Sequence, residues 1–289
     1  MSSAWLDLRI IAGYALREAL RRRVLLVVVV LTAGFLAVYA YGGQQAFKNV
    51  ANQPIAAGGL VEGKVLTGST LLGLAMFVTL FLGTVLAVFV TLNAVRGDAE
   101  RGLLQPLVVR PIGRSTLLLA RFLAASGLCA LYVTVVYAAA VLLIGAIGGY
   151  WPDNPVTSGL SIVGAIVIVV ALALLGTTLL SATANGIAIF MVFGAGLAAG
   201  LLGQIGSALN YPPLERIASI ASWALPFEAL YQDALHALTA NVQGVTGVIV
   251  RLGPFGGAQD AGPLLYPYAL AYLVVVGVVA DQVFRDADL

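Results

Sequence analysis

Six stretches of the sequence are each long and apolar enough to cross a bilayer, and they decide the fold class before any motif is considered. The hydrocarbon core of a bilayer is about 30 Å thick and takes about 20 apolar residues in a helix. The stretches cover residues 24–41, 69–93, 116–148, 160–184, 186–206 and 264–281. Only the polar patch 181–186 separates the fourth from the fifth, so that pair can be cut at more than one point. Composition agrees: 61% of the 289 residues are hydrophobic and 10% are charged, where soluble domains run at roughly 45–50% and 25%. The mean hydropathy is +1.00. A soluble domain is excluded, and so is a disordered chain, because this much apolar surface demands burial. The expectation is an all-α polytopic membrane protein, with six transmembrane helices in a single transmembrane domain over residues 1–289.

Lys and Arg collect on cytoplasmic loops, so their distribution orients the chain. Arg9, Arg17, Arg21, Arg22 and Arg23 precede the first stretch. Arg96, Arg101, Arg110 and Arg114 lie between the second and third, Arg121 just inside the third, and Arg285 after the sixth. Only Lys48, Lys64, Arg216 and Arg251 fall on the other side. Both termini are therefore expected in the cytoplasm, in keeping with an even number of spans. The net charge of +2 is too small to indicate a nucleic-acid partner. The one cysteine, Cys129, lies in an apolar run and reads as a core residue; alone it forms no internal disulfide.

Ahead of the first span, Trp5, Leu8, Ala12, Ala15, Leu16 and Ala19 share one helical face, with Asp7, Arg17, Glu18 and Arg21 on the other. Residues 1–23 thus read as an amphipathic helix lying in the cytoplasmic interface; a plain helical extension of the first span is the other reading. No small-residue cleavage site follows the first span, so an uncleaved span is expected rather than a signal peptide. Residues 42–68 read as a polar outer loop, and residues 207–262 as a longer, mixed outer segment. Within the latter, Pro226 suits the first turn of a helix. Phe227, Leu230, Tyr231, Ala234, Leu235 and Leu238 then recur at helical spacing, with Glu228, Gln232, Asp233 and His236 opposite. That is an amphipathic helix at or just inside the outer interface.

Most chemical motifs fail on inspection. Residues 58–65 approach a phosphate-binding loop, but Val65 stands where Ser or Thr would hold magnesium and no strand precedes it. His236 is the only histidine, so a metal site is not expected there. Neither HExxH nor GxSxG occurs, which removes the usual zinc-protease and serine-hydrolase signatures. Few ionisable residues sit deep in the spans, which argues against an ion-coupled carrier. Gly196, Gly200 and Gly203 make a small-residue face in the fifth span, suited to close helix packing within the chain or between subunits. A wall of a substrate cavity is a further use for that face.

The most informative segment is the basic cytoplasmic loop 94–115. Its short apolar run, residues 103–109, lies between Glu100-Arg101-Gly102 and Arg110-Pro111. Apolar residues on a charged loop need burial, either in the membrane interface or in a groove of a partner protein. Glu100, Gly102, Leu103, Leu104, Gln105, Leu107, Val108, Pro111 and Arg114 follow, without gaps, the pattern E-x-G-T-L-E-x-L-L-x-x-P-x-x-R. Arg121 stands where a Lys is usual. In this the chain resembles the type-2 ABC transporter permeases. Leu103 for Thr, Gln105 for Glu and the added Pro106 are departures, and they leave the start of the short helix undefined. Residues 5–35 and 225–231 are similar to the branch that includes permeases of the nitrous-oxide-reductase maturation system.

The resemblance implies the following. Two six-span subunits pair in a prokaryotic cell (inner) membrane, a homodimer being favoured, in contact with membrane lipid. A separate cytoplasmic ABC ATPase subunit docks on each, at the N-terminal helix and at a coupling site made of Glu100, Arg101, Gly102, Leu103, Leu104, Arg110, Pro111 and Arg114. ATP and magnesium belong to that partner; this chain has no cofactor of its own and does no covalent chemistry. ATP binding shifts the permease pair to an outward-facing state, so that substrate moves outward. The polar helices before the last span partly re-enter the membrane from outside. An ion-coupled carrier and a non-transporting, force-transmitting subunit remain the alternatives.

Overall fold

The computed structural model describes residues 13, 17, 23–52, 63–92, 114–240 and 262–286. Among these, eight helices follow in order and no strand occurs. They are α1 (Arg23–Asn52), α2 (Gly63–Thr91), α3 (Arg114–Gly148), α4 (Pro155–Leu179), α5 (Ala182–Ala208), α6 (Pro212–Ala224), α7 (Pro226–Leu238) and α8 (Leu265–Asp286). Six of them, α1 to α5 and α8, are long and apolar enough to cross a membrane. α6 and α7 have 13 residues each and are too short.

The six long helices alternate in direction. Thr32 of α1 meets Tyr132 of α3 at 2.6 Å, and the ring of Phe47 covers Gly148, so α1 and α3 run parallel. Val50 at the end of α1 abuts Gly63 at the start of α2, so α2 runs back. Ser158 contacts Met76, and Ile166 contacts Gly83, which aligns α4 with α2. At the far end of α8, Arg285 donates to Ser115 Oγ at 2.8 Å and pairs with Asp281 at 2.7 Å. The start of α1 and the end of α8 thus share one end of the bundle. α2 and α4 form its centre, while α1 and α8 are the most exposed of the six.

Burial of apolar surface does little to drive helices together in lipid; close packing and hydrogen bonds do. Gly83 lets Val133 and Ile166 approach α2, and Gly148 accommodates the Phe47 ring. Of the buried threonines Thr32 reaches across to Tyr132, whereas those of α2 do not leave their own helix. Thr79, Thr84 and Thr91 donate back to Ala75, Leu80 and Ala87 carbonyls at 2.7, 2.9 and 2.8 Å. Their hydroxyls are satisfied locally and leave the bundle's centre apolar.

The structure moves several expected boundaries. The stretch 42–68 is helical over 42–52 and 63–68. Gly42 and Gly43 do not break α1, because Ile144 and Leu71 pack against Gly43 and Phe47 anchors the following turn. The fourth span ends at Leu179, not at residue 184. Leu180 turns to an extended conformation (φ −115°, ψ 157°), and α5 starts two residues later. Asn185 fixes this junction: its Nδ2 donates to the Ala173 carbonyl at 3.0 Å and its Oδ1 presses on Gly176. A methyl group at 176 would collide with that oxygen. Gly176→Ala is therefore expected to cost about 1–3 kcal/mol through overpacking, as measured by unfolding in mixed micelles. Asn185→Ala in the same background should return part of that loss. The expected interfacial helix over 1–23 lies largely outside the described residues, as does the loop 94–113.

Candidate functional site

Between α5 and α8 the chain makes a helical hairpin, and its construction is local. Pro212 and Pro226 stand at the first turns of α6 and α7, where a missing N–H costs nothing. Leu225, which precedes Pro226, leaves the helical conformation (φ −128°, ψ 72°), because proline disfavours that region in the residue before it. It closes α6 and opens α7 at once: its N–H donates to Ala221 O at 2.8 Å, and its carbonyl accepts from the Glu228 N–H at 3.0 Å. Asn210, at φ 50°, makes the preceding turn out of α5.

Contacts with the long helices give the hairpin's depth. α7 rises along α4: Leu230 lies on Gly164, Asp233 accepts from Ser161 at 2.8 Å, and Ala237 O accepts from Asn154 N–H at 3.2 Å. At the tip, Phe227 is fully buried on Gly196 and stacks on Phe193 with centroids 5.9 Å apart. Phe193 in turn meets Phe81 of α2 at 6.2 Å. Gly196 is near the middle of α5, so the tip lies about 18 Å along the axis from that helix's end at 1.5 Å per residue. The hairpin enters from one end of the bundle and reverses at mid-depth. A second bond holds it: Tyr266 of α8 donates to the same Asp233 carboxylate at 2.7 Å.

The hairpin lines a partly open cavity of about 470 Å³ between α5, α6, α7 and α8. α5 forms one wall with Gly200, Gly203 and Gln204; α6 contributes Glu215, Ser219, Ser222 and Trp223. α7 contributes Glu228 and Gln232, and α8 contributes Tyr268. No Lys, Arg or His is among the described lining residues. Glu228 is only 3% exposed and accepts from Gln232 Nε2 at 2.8 Å. Burial raises its carboxyl above the ordinary carboxylate range, and the Gln232 bond offsets this only in part. Gln232 Oε1 is buried with no hydrogen-bond partner. Tyr268 donates to the Trp223 carbonyl, and the two rings meet edge to face with centroids 4.6 Å apart.

The glycine face of the fifth span lies against this hairpin. A Cβ at Gly196 would come within 2.6 Å of the Phe227 ring, and one at Gly203 within 2.9 Å of Ala218. At Gly200 it would collide with Glu228 Oε1. Of the coupling residues, Glu100, Arg101, Gly102, Leu103, Leu104, Arg110 and Pro111 lie outside the described residues. Arg114 is the first residue of α3.

The helix expected from Pro226 onward is α7, but its polar side is not turned to an interface. Glu228 faces the cavity and Asp233 faces α4 and α8. The sequence places Glu228 on the polar side of this helix but does not show that it joins Glu215 in a cavity. α6 carries no such signal, because its apolar residues Ile217 and Ile220 point outward while Glu215, Ser219, Ser222 and Trp223 line the cavity. The available signal was the pair Glu228 and Gln232, one turn apart on a helix between two spans.

Six long apolar helices and a hairpin folded back among them define a multi-pass membrane protein with a partly open cavity lined by both polar and apolar groups. Residues 9–289 match the family model described as ABC-2 family transporter protein, and the chain belongs to that family. It is a membrane subunit of an ABC transporter, which implies association with an ABC ATPase subunit. No curated protein matches the chain.

Proposed function

We propose that this chain is the permease subunit of an ATP-driven exporter. Two copies pair in the cell membrane, and an ABC ATPase docks on each at the loop 94–115. The family match over residues 9–289 carries this reading. Both termini, the loop and the Arg285–Ser115 contact face the cytoplasm, and the hairpin faces outward. ATP and magnesium act on the partner, and no residue of this chain takes part in covalent chemistry.

The geometry supplies a route for coupling. The loop runs directly into α3, whose second residue, Ser115, is bonded to Arg285 at the end of α8. α8 is 22 residues long, or about 33 Å at helical rise. Its other end carries Tyr266 and Tyr268, which bond the hairpin at Asp233 and Trp223. A push on the loop is thus shared by α3 and α8, and α8 delivers it to the hairpin. Glu228 is the one observation favouring an ion-coupled carrier. The six spans nevertheless offer it no relay, for the buried polar groups within them are Thr, Ser and Asn rather than ionisable residues.

Orientation is the testable core of this reading. Cys129 is fully buried and is the only cysteine, so an introduced cysteine labels against a silent background. Leu264→Cys, at a position 71% exposed, should react with an impermeant maleimide in intact cells. Leu103→Cys should react only after the cytoplasm is opened. The reverse pattern would put the loop outside, where no ATPase can reach it, and would end the exporter reading.

A further inference from the structure

We propose that the hairpin cavity binds an organic ammonium ion that carries N–H groups and an apolar body, its cationic head held by Glu228 and by the Gln232 carbonyl oxygen. Among the described lining residues the ionisable groups are acidic or phenolic and none is basic. Gln232 Oε1 is a buried acceptor without a donor, a state that costs free energy until a donor arrives. Glu228 is a buried carboxyl whose single neutral donor is the amide of that same Gln232. One ammonium group placed between them supplies N–H donors to both and a positive charge to the carboxylate. Trp223 and Tyr268 give the same wall an aromatic surface, which suits the ligand's body and favours a cation nearby. A volume of about 470 Å³ lies within the range of small-molecule sites, about 300–1,000 Å³.

The same features select against other ligands. An anion would meet Glu215 and Glu228 with no compensating charge. A zwitterionic lipid headgroup brings a phosphate for which the described lining residues offer no Lys or Arg. No group of metal-ligating side chains occurs among the described residues. Gly200 is part of the site's shape, because any side chain there would drive the Glu228 carboxylate from its place. The site belongs to the permease alone and needs no ATPase. Its failure and the failure of ATP coupling are therefore separate results.

The test uses the purified full-length permease in non-ionic detergent, with dansylcadaverine as the probe. This amine is cationic, and its dansyl group brightens in an apolar site. N-acetyl-dansylcadaverine, the same fluorophore without the charge, is the control. Wild type should bind the amine saturably and the acetylated form at least about tenfold more weakly, as fits loss of a charged hydrogen bond. Glu228→Gln keeps the shape and removes the charge. It should retain the wild-type thermal midpoint and lose about tenfold in affinity for the amine.

Affinity should also rise with pH in wild type as Glu228 ionises, and stay flat in Glu228→Gln. Among the described residues the other groups around Glu228 are few. α6 presents Glu215, α8 presents Tyr268, and α7 itself carries Tyr231, with Asp233 turned away to Ser161 and Tyr266. α4 and α5 contain no ionisable residue, and α2 only Lys64, at Gly149. Equal binding of the amine and its acetyl form, or unchanged affinity in a folded Glu228→Gln, would overturn the assignment. Displacement of the probe by stoichiometric phosphatidylethanolamine would give the site to a lipid headgroup and overturn it equally.

Discussion

Phe227→Ala is expected to destabilise the protein by about 3–5 kcal/mol, the range for emptying a fully packed aromatic site. Among the described residues Phe227 is the largest fully buried side chain, and it is the point at which the hairpin is seated. Its ring lies on Gly196, where α5 has no side chain, and stacks on Phe193, which leads to Phe81 of α2. The removed ring leaves a void that these neighbours cannot fill, because Gly196 offers nothing to relax inward. The loss should appear in unfolding measurements in mixed micelles. Ile220→Ala is the comparison: Ile220 is 70% exposed on α6 and should change stability by less than about 0.5 kcal/mol. Phe227→Ala should also abolish binding of the dansyl amine, since Glu228 is one residue from the unseated tip. A variant at 227 with wild-type stability would show that the hairpin is not held by its tip.

Arg114→Glu is expected to uncouple ATP hydrolysis from transport while the permease stays folded and inserted. Arg114 is the first residue of α3. A positive charge at a helix N-terminus opposes the helix dipole, and a negative one there favours the helix by about 0.3–1 kcal/mol. The substitution should thus leave α3 intact or slightly stabilised. Any loss of coupling then reports the docking surface and not the fold. Leu104→Asp attacks the same surface through its apolar part. In reconstituted complexes, both variants should lose the dependence of ATPase rate on the permease. Coupled turnover at the wild-type rate in either variant would remove the loop from the docking site.

The six spans were legible because each is a continuous apolar run, and membrane thickness converts run length directly into a helix. Their ends were less so. Gly42 and Gly43 look like a loop until Ile144, Leu71 and Phe47 are seen to pack around them. The break after Leu179 depends on Asn185 reaching back to Ala173, a contact that no local pattern shows. The hairpin was half legible. The apolar spacing of 227–238 gave the helix α7, whereas its polar side looked solvated until Ser161 and Tyr266 were found to partner Asp233. α6 was hidden because its apolar residues Ile217 and Ile220 point outward while its polar side lines the cavity, the reverse of a soluble helix. The cavity joins Gly200, Glu215, Glu228 and Tyr268 from four helices, so no single stretch of sequence contains it.

The most direct test of the central claim is co-purification of the permease from its native membrane with an ABC ATPase, comparing wild type with Leu104→Asp. The expected result is an ATPase subunit retained in stoichiometric amount by wild type and lost by the variant, with both permeases equally abundant in the membrane. A wild-type permease that purifies without any ATPase, or an ATPase held equally by both forms, would contradict it.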